Sequence, residues 1–226
     1  KRRTEQANNQ VPLPAMPTSD SGFDRVASFY DALARLVFGS ALRRAQQAAL
    51  AGLPTGTPKV LIIGGGTGWV LEEVLQRRPH AQILYVEASA AMLQKSRATL
   101  SATHEAQVEF RHGTERSLLP DELFDVIITF FFLDLFEPER FAVLVRQLNA
   151  VRRQGGVWLL ADFYKPPRWW QRALLAVMYQ FFRLTTGISA RQLPAIHAEL
   201  TKLGLRVRSQ QWFYGGMIEA SVFEEK

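Results

Sequence analysis

The 226-residue sequence contains no cysteine, which excludes disulfide frameworks, thiolate metal sites and every mechanism built on a cysteine nucleophile. Its four histidines (His80, His104, His112 and His197) are scattered, so no metal centre is expected. Long apolar runs are also missing. The strongest, Trp169 to Phe182, is interrupted by Gln171, Arg172 and Gln180 and falls short of the ~20 apolar residues a spanning helix requires. Lys1 to Gly22 has three basic residues but no apolar signal core, which predicts a cytoplasmic protein. The 27 basic against 21 acidic residues give a net charge of +6. Beyond Lys1 to Arg3 no dense basic run exists, so a solvated basic surface is expected in preference to a nucleic-acid footprint.

Residues 1–20 are polar and carry Pro12, Pro14 and Pro17, which predicts a flexible tail. From Phe23 to Leu50, apolar residues at 23, 26, 27, 30, 33, 34, 37 and 38 recur at helical spacing, with Gly39 as a break. One or two amphipathic helices over 21–52 are therefore expected ahead of the main domain. After Gly52 to Pro58, short apolar runs alternate with longer amphipathic ones, the pattern of parallel strands joined by crossover helices. Strands are expected at 59–63, 82–87, 108–111, 124–130 and 157–161, then a closing hairpin of 206–213 and 218–223. Helices are expected at 69–78, 90–100, 138–153, 168–184 and 193–203.

The segment Val60-Leu61-Ile62-Ile63-Gly64-Gly65-Gly66-Thr67-Gly68-Trp69 runs a buried strand into a glycine turn that opens a helix. Glycines there permit positive φ and let a ligand approach bare main chain. Trp69 stands where a dinucleotide fingerprint needs its third glycine, and the Gly-Lys-Ser/Thr of a phosphate loop is missing, which leaves G-x-G-x-G. Nineteen residues past Gly68, Glu87 ends the second strand. A carboxylate there can accept from both ribose hydroxyls and would repel a 2′-phosphate. The pair predicts a site for an adenosine cofactor unphosphorylated at its sugar.

On these residues the chain resembles the class I S-adenosylmethionine-dependent methyltransferases. Gly64, Gly66, Gly68 and Glu87 match that family's G-x-G-x-G and acidic strand end, and Glu87-Ala88-Ser89-Ala90-Ala91-Met92-Leu93 is similar to the acid-x-Ser-x-x-Met-Leu that often follows. Phe124 to Ile128 with Thr129 to Phe132 looks like its fourth strand and the substrate-facing end of it. The opening Phe23-Asp24-Arg25-Val26-Ala27-Ser28-Phe29-Tyr30-Asp31, Asp162-Phe163-Tyr164-Lys165-Pro166 and Gly215-Gly216 are similar to the ubiquinone and menaquinone C-methyltransferases and their small-molecule relatives.

The resemblance implies an α/β, Rossmann-like, seven-stranded and mostly parallel sheet over 21–226. Helices would cover both faces, the last strand would be antiparallel, 21–52 would form an N-terminal helical lid, and 162–204 would cover the substrate. It implies S-adenosyl-L-methionine as cofactor, S-adenosyl-L-homocysteine as product and a small, apolar or aromatic acceptor. Cofactor contacts would come from Gly64, Gly65, Gly66 and Gly68, from Glu87 on the ribose, from Ala88, Met92, Gly113 and Thr114 on the adenine, and from Tyr30, Thr129 and Phe130 around the reactive centre. Two departures stand out. Ile62 replaces an acidic residue two positions before the first glycine, and Gly113-Thr114-Glu115 replaces a common Gly-Asp.

Methyl transfer needs alignment and a dry site more than a fixed set of catalytic groups. Where the acceptor must lose a proton, Asp134 after the fourth strand is the first candidate base, with Tyr164 and Asp162 behind it. Phe130 to Phe132 and the aromatics from Trp169 to Phe182 suit an apolar acceptor, with core packing or a homodimer surface as the competing uses. Arg168, Arg172 and Arg183 beside those aromatics also fit peripheral contact with an anionic membrane. Nucleic-acid methylation is disfavoured, because the Pro-Pro-aromatic turn and the cysteine are both missing. Two alternatives stay open: a catalytically silent cofactor-binding protein, and an NAD-dependent reductase, against which Trp69 argues.

Overall fold

A computed structural model describes residues 36–186 and 192–226. The tail, Tyr30 and residues 21–35 of the expected lid lie outside the described residues. Seven strands form one sheet: β1 (Lys59–Ile63), β2 (Gln82–Glu87), β3 (Val108–His112), β4 (Phe124–Phe130), β5 (Arg152–Phe163), β6 (Leu205–Phe213) and β7 (Ile218–Glu225). The spatial order is β3-β2-β1-β4-β5-β7-β6. Strands β1 to β5 pair in parallel, and β7 runs antiparallel to both β5 and β6. This is the expected mostly parallel sheet with an antiparallel last strand.

The central strands are apolar on both sides because helices cover both. Val60 and Ile62 of β1 enter one core, shared with α1 (Ala41–Leu50), α2 (Trp69–Arg77), α3 (Ala90–Thr99) and the inner side of α5 (Trp169–Thr186). Leu61 and Ile63 enter the opposite core, under α4 (Pro138–Ala150) and α6 (Ile196–Lys202). Alternation along one short strand thus feeds two cores.

The helix α1 buries Ala41, Ala45, Ala49 and Leu50 against β5, β6 and β7. Its small residues allow the close approach, and Gly39 at φ 57° supplies the expected break. The helix expected to reach Arg153 stops at Ala150, because Arg152 already pairs with Phe124. The register then jumps to Val126 with Val157, so the residues between are a bulge inside β5 that Gly155 at φ 73° lets turn. α6 lies with α4 and β6 on the opposite face from α5.

Candidate active site

Strand order reverses between β1 and β4, and in open parallel sheets the crevice at the carboxyl ends beside such a switch point is where ligands bind. The glycine turn after β1 stands there. The Gly64 N–H donates to the Val86 carbonyl at 2.9 Å, so the turn leaves the sheet still tied to β2. The Gly66 peptide is then held from both sides: its N–H donates to Glu87 Oε2 at 2.9 Å, and its carbonyl accepts from the Tyr85 hydroxyl at 2.9 Å. Gly68, at φ 99°, caps the start of α2.

Glu87 is buried, with 7% of its surface exposed. Its other oxygen accepts the Ser89 N–H at 3.0 Å, and the Ser89 hydroxyl accepts the Met92 N–H at 3.1 Å to cap α3. Burial raises the Glu87 carboxyl above its ordinary range, while N–H groups of Ser89, Gly66 and Ala88 and the nearby His112 pull it back. These three N–H donors leave one of a carboxylate's roughly four acceptor positions free. The carboxylate therefore fixes the loop and can still accept from a ligand hydroxyl.

The four loop glycines lack side chains for different reasons. A Cβ on Gly64 would lie 2.3 Å from the Phe132 ring, one on Gly65 2.5 Å from Tyr85, and one on Gly68 2.7 Å from the Ser96 backbone. At Gly66 nothing lies within 4 Å. Three of the glycines thus admit the protein's own groups, and Gly66, at φ 64°, is the one with open space before it.

Beside Glu87, the His112 Nε2 donates to the Ala88 carbonyl at 2.8 Å, which places the β3 end against the turn after β2. Gly113 donates its N–H to the Glu87 carbonyl at 3.0 Å. Thr114 is exposed and accepts the Arg116 N–H, while Glu115 is buried in an ion pair with Arg140. Ala88, Met92, Gly113 and Thr114 therefore cluster around Glu87. Ile62 is core, 1% exposed, and the loop's acidic partner is Glu87 in place of the residue missing at 62.

Across the switch point, β4 ends in Phe130, buried, and Phe131, whose φ of 50° is unusual for a residue with a Cβ. Its N–H still donates to the Ala161 carbonyl at 2.7 Å. The next residue, Phe132, lays its ring over Gly64 and against Phe136 at 5.0 Å. Then comes Asp134, 5% exposed, whose carboxyl lies within hydrogen-bonding reach of the fully buried Asp162 from the end of β5. Asp162 accepts the Leu133 N–H at 3.1 Å and the Phe163 N–H at 2.8 Å. Asp134 Oδ1 has no partner in the protein.

Burial pushes the Asp134 carboxyl up to about 6, and burial together with the charge of Asp134 raises Asp162 well above the carboxylate range. Two buried carboxyls in contact cannot both ionise, so the pair shares one proton. From α5, the Tyr179 hydroxyl donates to the Asp134 carbonyl at 3.3 Å, and burial and the two carboxyls raise its own proton affinity.

Two expected contacts are not brought to this crevice by their side chains. Thr129 is buried and its hydroxyl accepts the Trp158 indole N–H at 2.8 Å, because alternation along β4 turns it into the core. Tyr164 meets Trp212 of β6 edge-to-face at 4.6 Å and His197 likewise at 6.0 Å, beyond β5 from the loop. Phe132 and Tyr179 are among the aromatics expected around the acceptor, and Tyr85 is a contributor that sequence reasoning did not single out. Tyr85 had a signal: a phenol inside an aliphatic buried strand must find a polar partner. Among the described residues no group of three or more His, Asp or Glu is placed to hold a metal. Two surface concavities, of about 350 and 450 Å³, lie by Pro58 and Asp125 and by Lys59 and Gln82. Both sit at the amino ends of the strands, the wrong end for this architecture.

Residues 60–156 match the family model described as a methyltransferase domain. No curated protein sequence matches the chain. Solved structures similar in fold include the mitomycin 7-O-methyltransferase MmcR, with a TM-score of 0.67, 18% identity, and coverage of 90% of this chain and 60% of that one. The S-adenosylhomocysteine-bound calicheamicin methyltransferase CalO1 gives 0.63, 19%, 92% and 60%. The 1,6-didemethyltoxoflavin N1-methyltransferase of Burkholderia thailandensis, with its substrate and S-adenosylhomocysteine, gives 0.69, 16%, 99% and 98%. The chain thus spans about three fifths of the first two and nearly all of the third. At these identities the likeness is one of fold.

Proposed function

We propose that the chain transfers a methyl group from S-adenosylmethionine to a small, apolar or aromatic acceptor, at carbon or oxygen. One observation carries the reading: a buried carboxylate at the end of β2 holds the Gly66 N–H, while the space before Gly66 is open. The fit is chemical. Glu87 keeps acceptor capacity for a ribose hydroxyl, Gly66 admits the ligand to bare main chain, and Ala88, Met92, Gly113 and Thr114 border the adenine side. The methyltransferase-domain match and the S-adenosylhomocysteine held by two similar structures support the same cofactor. When bound, S-adenosylmethionine supplies an electrophilic methyl on a sulfonium.

The protein's own part is alignment and proton management. Phe130, Phe131 and Phe132 give the crevice an aromatic wall, which favours an apolar acceptor and keeps water out. Asp134, ionised within a pair that holds one proton, takes the proton the acceptor loses, and Asp162 spreads the charge over two carboxyls. Tyr30, from outside the described residues, belongs to this reading as an enclosing aromatic. Ile62 favours a second reading, a cofactor-binding protein without turnover.

Thermal shift and calorimetry with S-adenosylmethionine, S-adenosylhomocysteine, NAD and NADP test the first step. Stabilisation by the two adenosyl sulfur compounds alone is expected, and stabilisation by NAD instead would reject the reading. Turnover on an acceptor panel by mass spectrometry then separates an enzyme from a silent binder.

A further inference from the structure

The outward face of α5 has no use in the site above. Of the ten large apolar side chains exposed among the described residues, four (Trp169, Trp170, Val177 and Leu184) lie on this one helix, and Trp169 is 80% exposed. Trp169, Ala173, Val177, Gln180 and Leu184 follow a spacing of three and four, so they form one stripe about 22 Å long. The inner face is fully engaged. Gln171 donates to the carbonyl of Tyr214 at 2.9 Å, Tyr179 donates to that of Asp134, and Leu175 is buried in the sheet core.

The charge on this segment has one sign. From Tyr164 to Thr186 there are four basic residues, Lys165, Arg168, Arg172 and Arg183, and no acidic one. Arg172 and Arg183, exposed and three turns apart, run along one edge of the apolar stripe. Indole rings beside cationic side chains over a shallow apolar stripe are what an interfacial helix needs: rings at the level of lipid headgroups, cations on their phosphates. A second copy of the chain fits poorly, because a twofold contact would set the same four cations against each other with no acid to neutralise them. Burial as a spanning helix is excluded, since no helix among the described residues is long and apolar enough to cross a membrane.

We propose that the exposed face of α5, led by Trp169, Val177 and Leu184 with Arg168, Arg172 and Arg183, docks in the plane of an anionic phospholipid surface. Neither the glycine loop nor Asp134 enters this inference, so it stands or falls apart from the methyl-transfer reading.

The test is co-sedimentation of the full chain with phosphatidylcholine vesicles made with and without phosphatidylglycerol, read together with intrinsic tryptophan fluorescence. Binding and a shift to shorter wavelength are expected only with phosphatidylglycerol, weakening as salt rises. Trp169→Ser with Val177→Ser and Leu184→Ser should abolish it. Arg168→Gln with Arg183→Gln should weaken it about fivefold for each charge removed; Arg172 is spared because its guanidinium bonds the Pro166 and Pro167 carbonyls. Should the triple variant misfold, the single Trp169→Ser variant serves, with loss of the fluorescence shift as its readout. Failure to bind anionic vesicles, undiminished binding by the variants, or a dimer that the serine substitutions break without any vesicle binding would each overturn the proposal.

Discussion

The two sides of the crevice are built on opposite principles. Around Gly66 the chain presents peptide groups pinned by a carboxylate, a phenol and a helix cap, every one with a named partner. Across from it, after β4, stand a backbone in a costly conformation, stacked aromatic rings and two carboxyls sharing one proton, with one oxygen left without a partner. The first side has its backbone fixed before a ligand arrives; the second keeps a buried carboxyl oxygen with no partner at all. A reaction in which the cofactor is constant and the acceptor must lose a proton asks for that division.

Substitutions can break the contrast. The largest effect is expected for Asp134→Asn, which keeps an oxygen that can accept from the protonated Asp162 but removes the carboxylate that takes a proton. Turnover on an identified acceptor should fall by roughly 10²-fold or more, the range for a lost general base, while affinity for S-adenosylhomocysteine stays unchanged. Equal losses in both would show that the two sides are not separate. Next in size, Glu87→Ala should weaken S-adenosylhomocysteine binding by about 1.5–3 kcal/mol, the range for hydrogen bonds to a charged group, and leave the acceptor's KM alone; unchanged affinity in calorimetry rejects the assignment.

A third difference concerns pH. Folding raises the proton affinity of the Asp134–Asp162 pair above that of an unfolded aspartate, so the stability it contributes is fully present below about pH 4. That contribution is lost as pH rises through about 6, the Asp134 value. Wild type should therefore lose denaturation free energy between pH 4 and pH 8 relative to Asp134→Asn, by about 2 kcal/mol. Parallel pH curves for the two proteins would dissolve the shared-proton assignment. The smallest effect is Gly66→Ala: no atom obstructs the new Cβ, and only the left-handed φ costs, about 1 kcal/mol. Cofactor affinity should fall more than stability does; the reverse would mean that the space before Gly66 is not the cradle.

Legibility in the sequence followed the same divide. The bounds of β1, β2 and β4 were readable to the residue, because short apolar runs ended by glycine, acid or aromatic clusters leave little choice in a doubly covered sheet. That Gly66 and Glu87 serve one site was readable too, since the glycine turn follows β1 and Glu87 ends the parallel neighbour β2, whose Val86 is level with Ile63. The carboxyl pair was half readable. Asp134 and Asp162 were each candidates, yet only the β4–β5 register and the turn at Phe131 set them together, and no local pattern encodes a contact between residues 28 positions apart. Tyr164 misled because β5 runs to Phe163, past the expected end at 161, and Thr129 because a strand covered on both faces has no polar alternation to say which way its hydroxyl points.

The closeness of Phe132 to Gly64 has an evolutionary corollary. A ring that fills the place of a missing Cβ makes residues 64 and 132 a single unit of inheritance: a lineage that acquires alanine at 64 must trim the side chain at 132, and one that loses the ring is released to vary at 64 in size though not in handedness. The two positions should therefore drift together among descendants of this chain, linking the fate of the loop to that of the turn facing it.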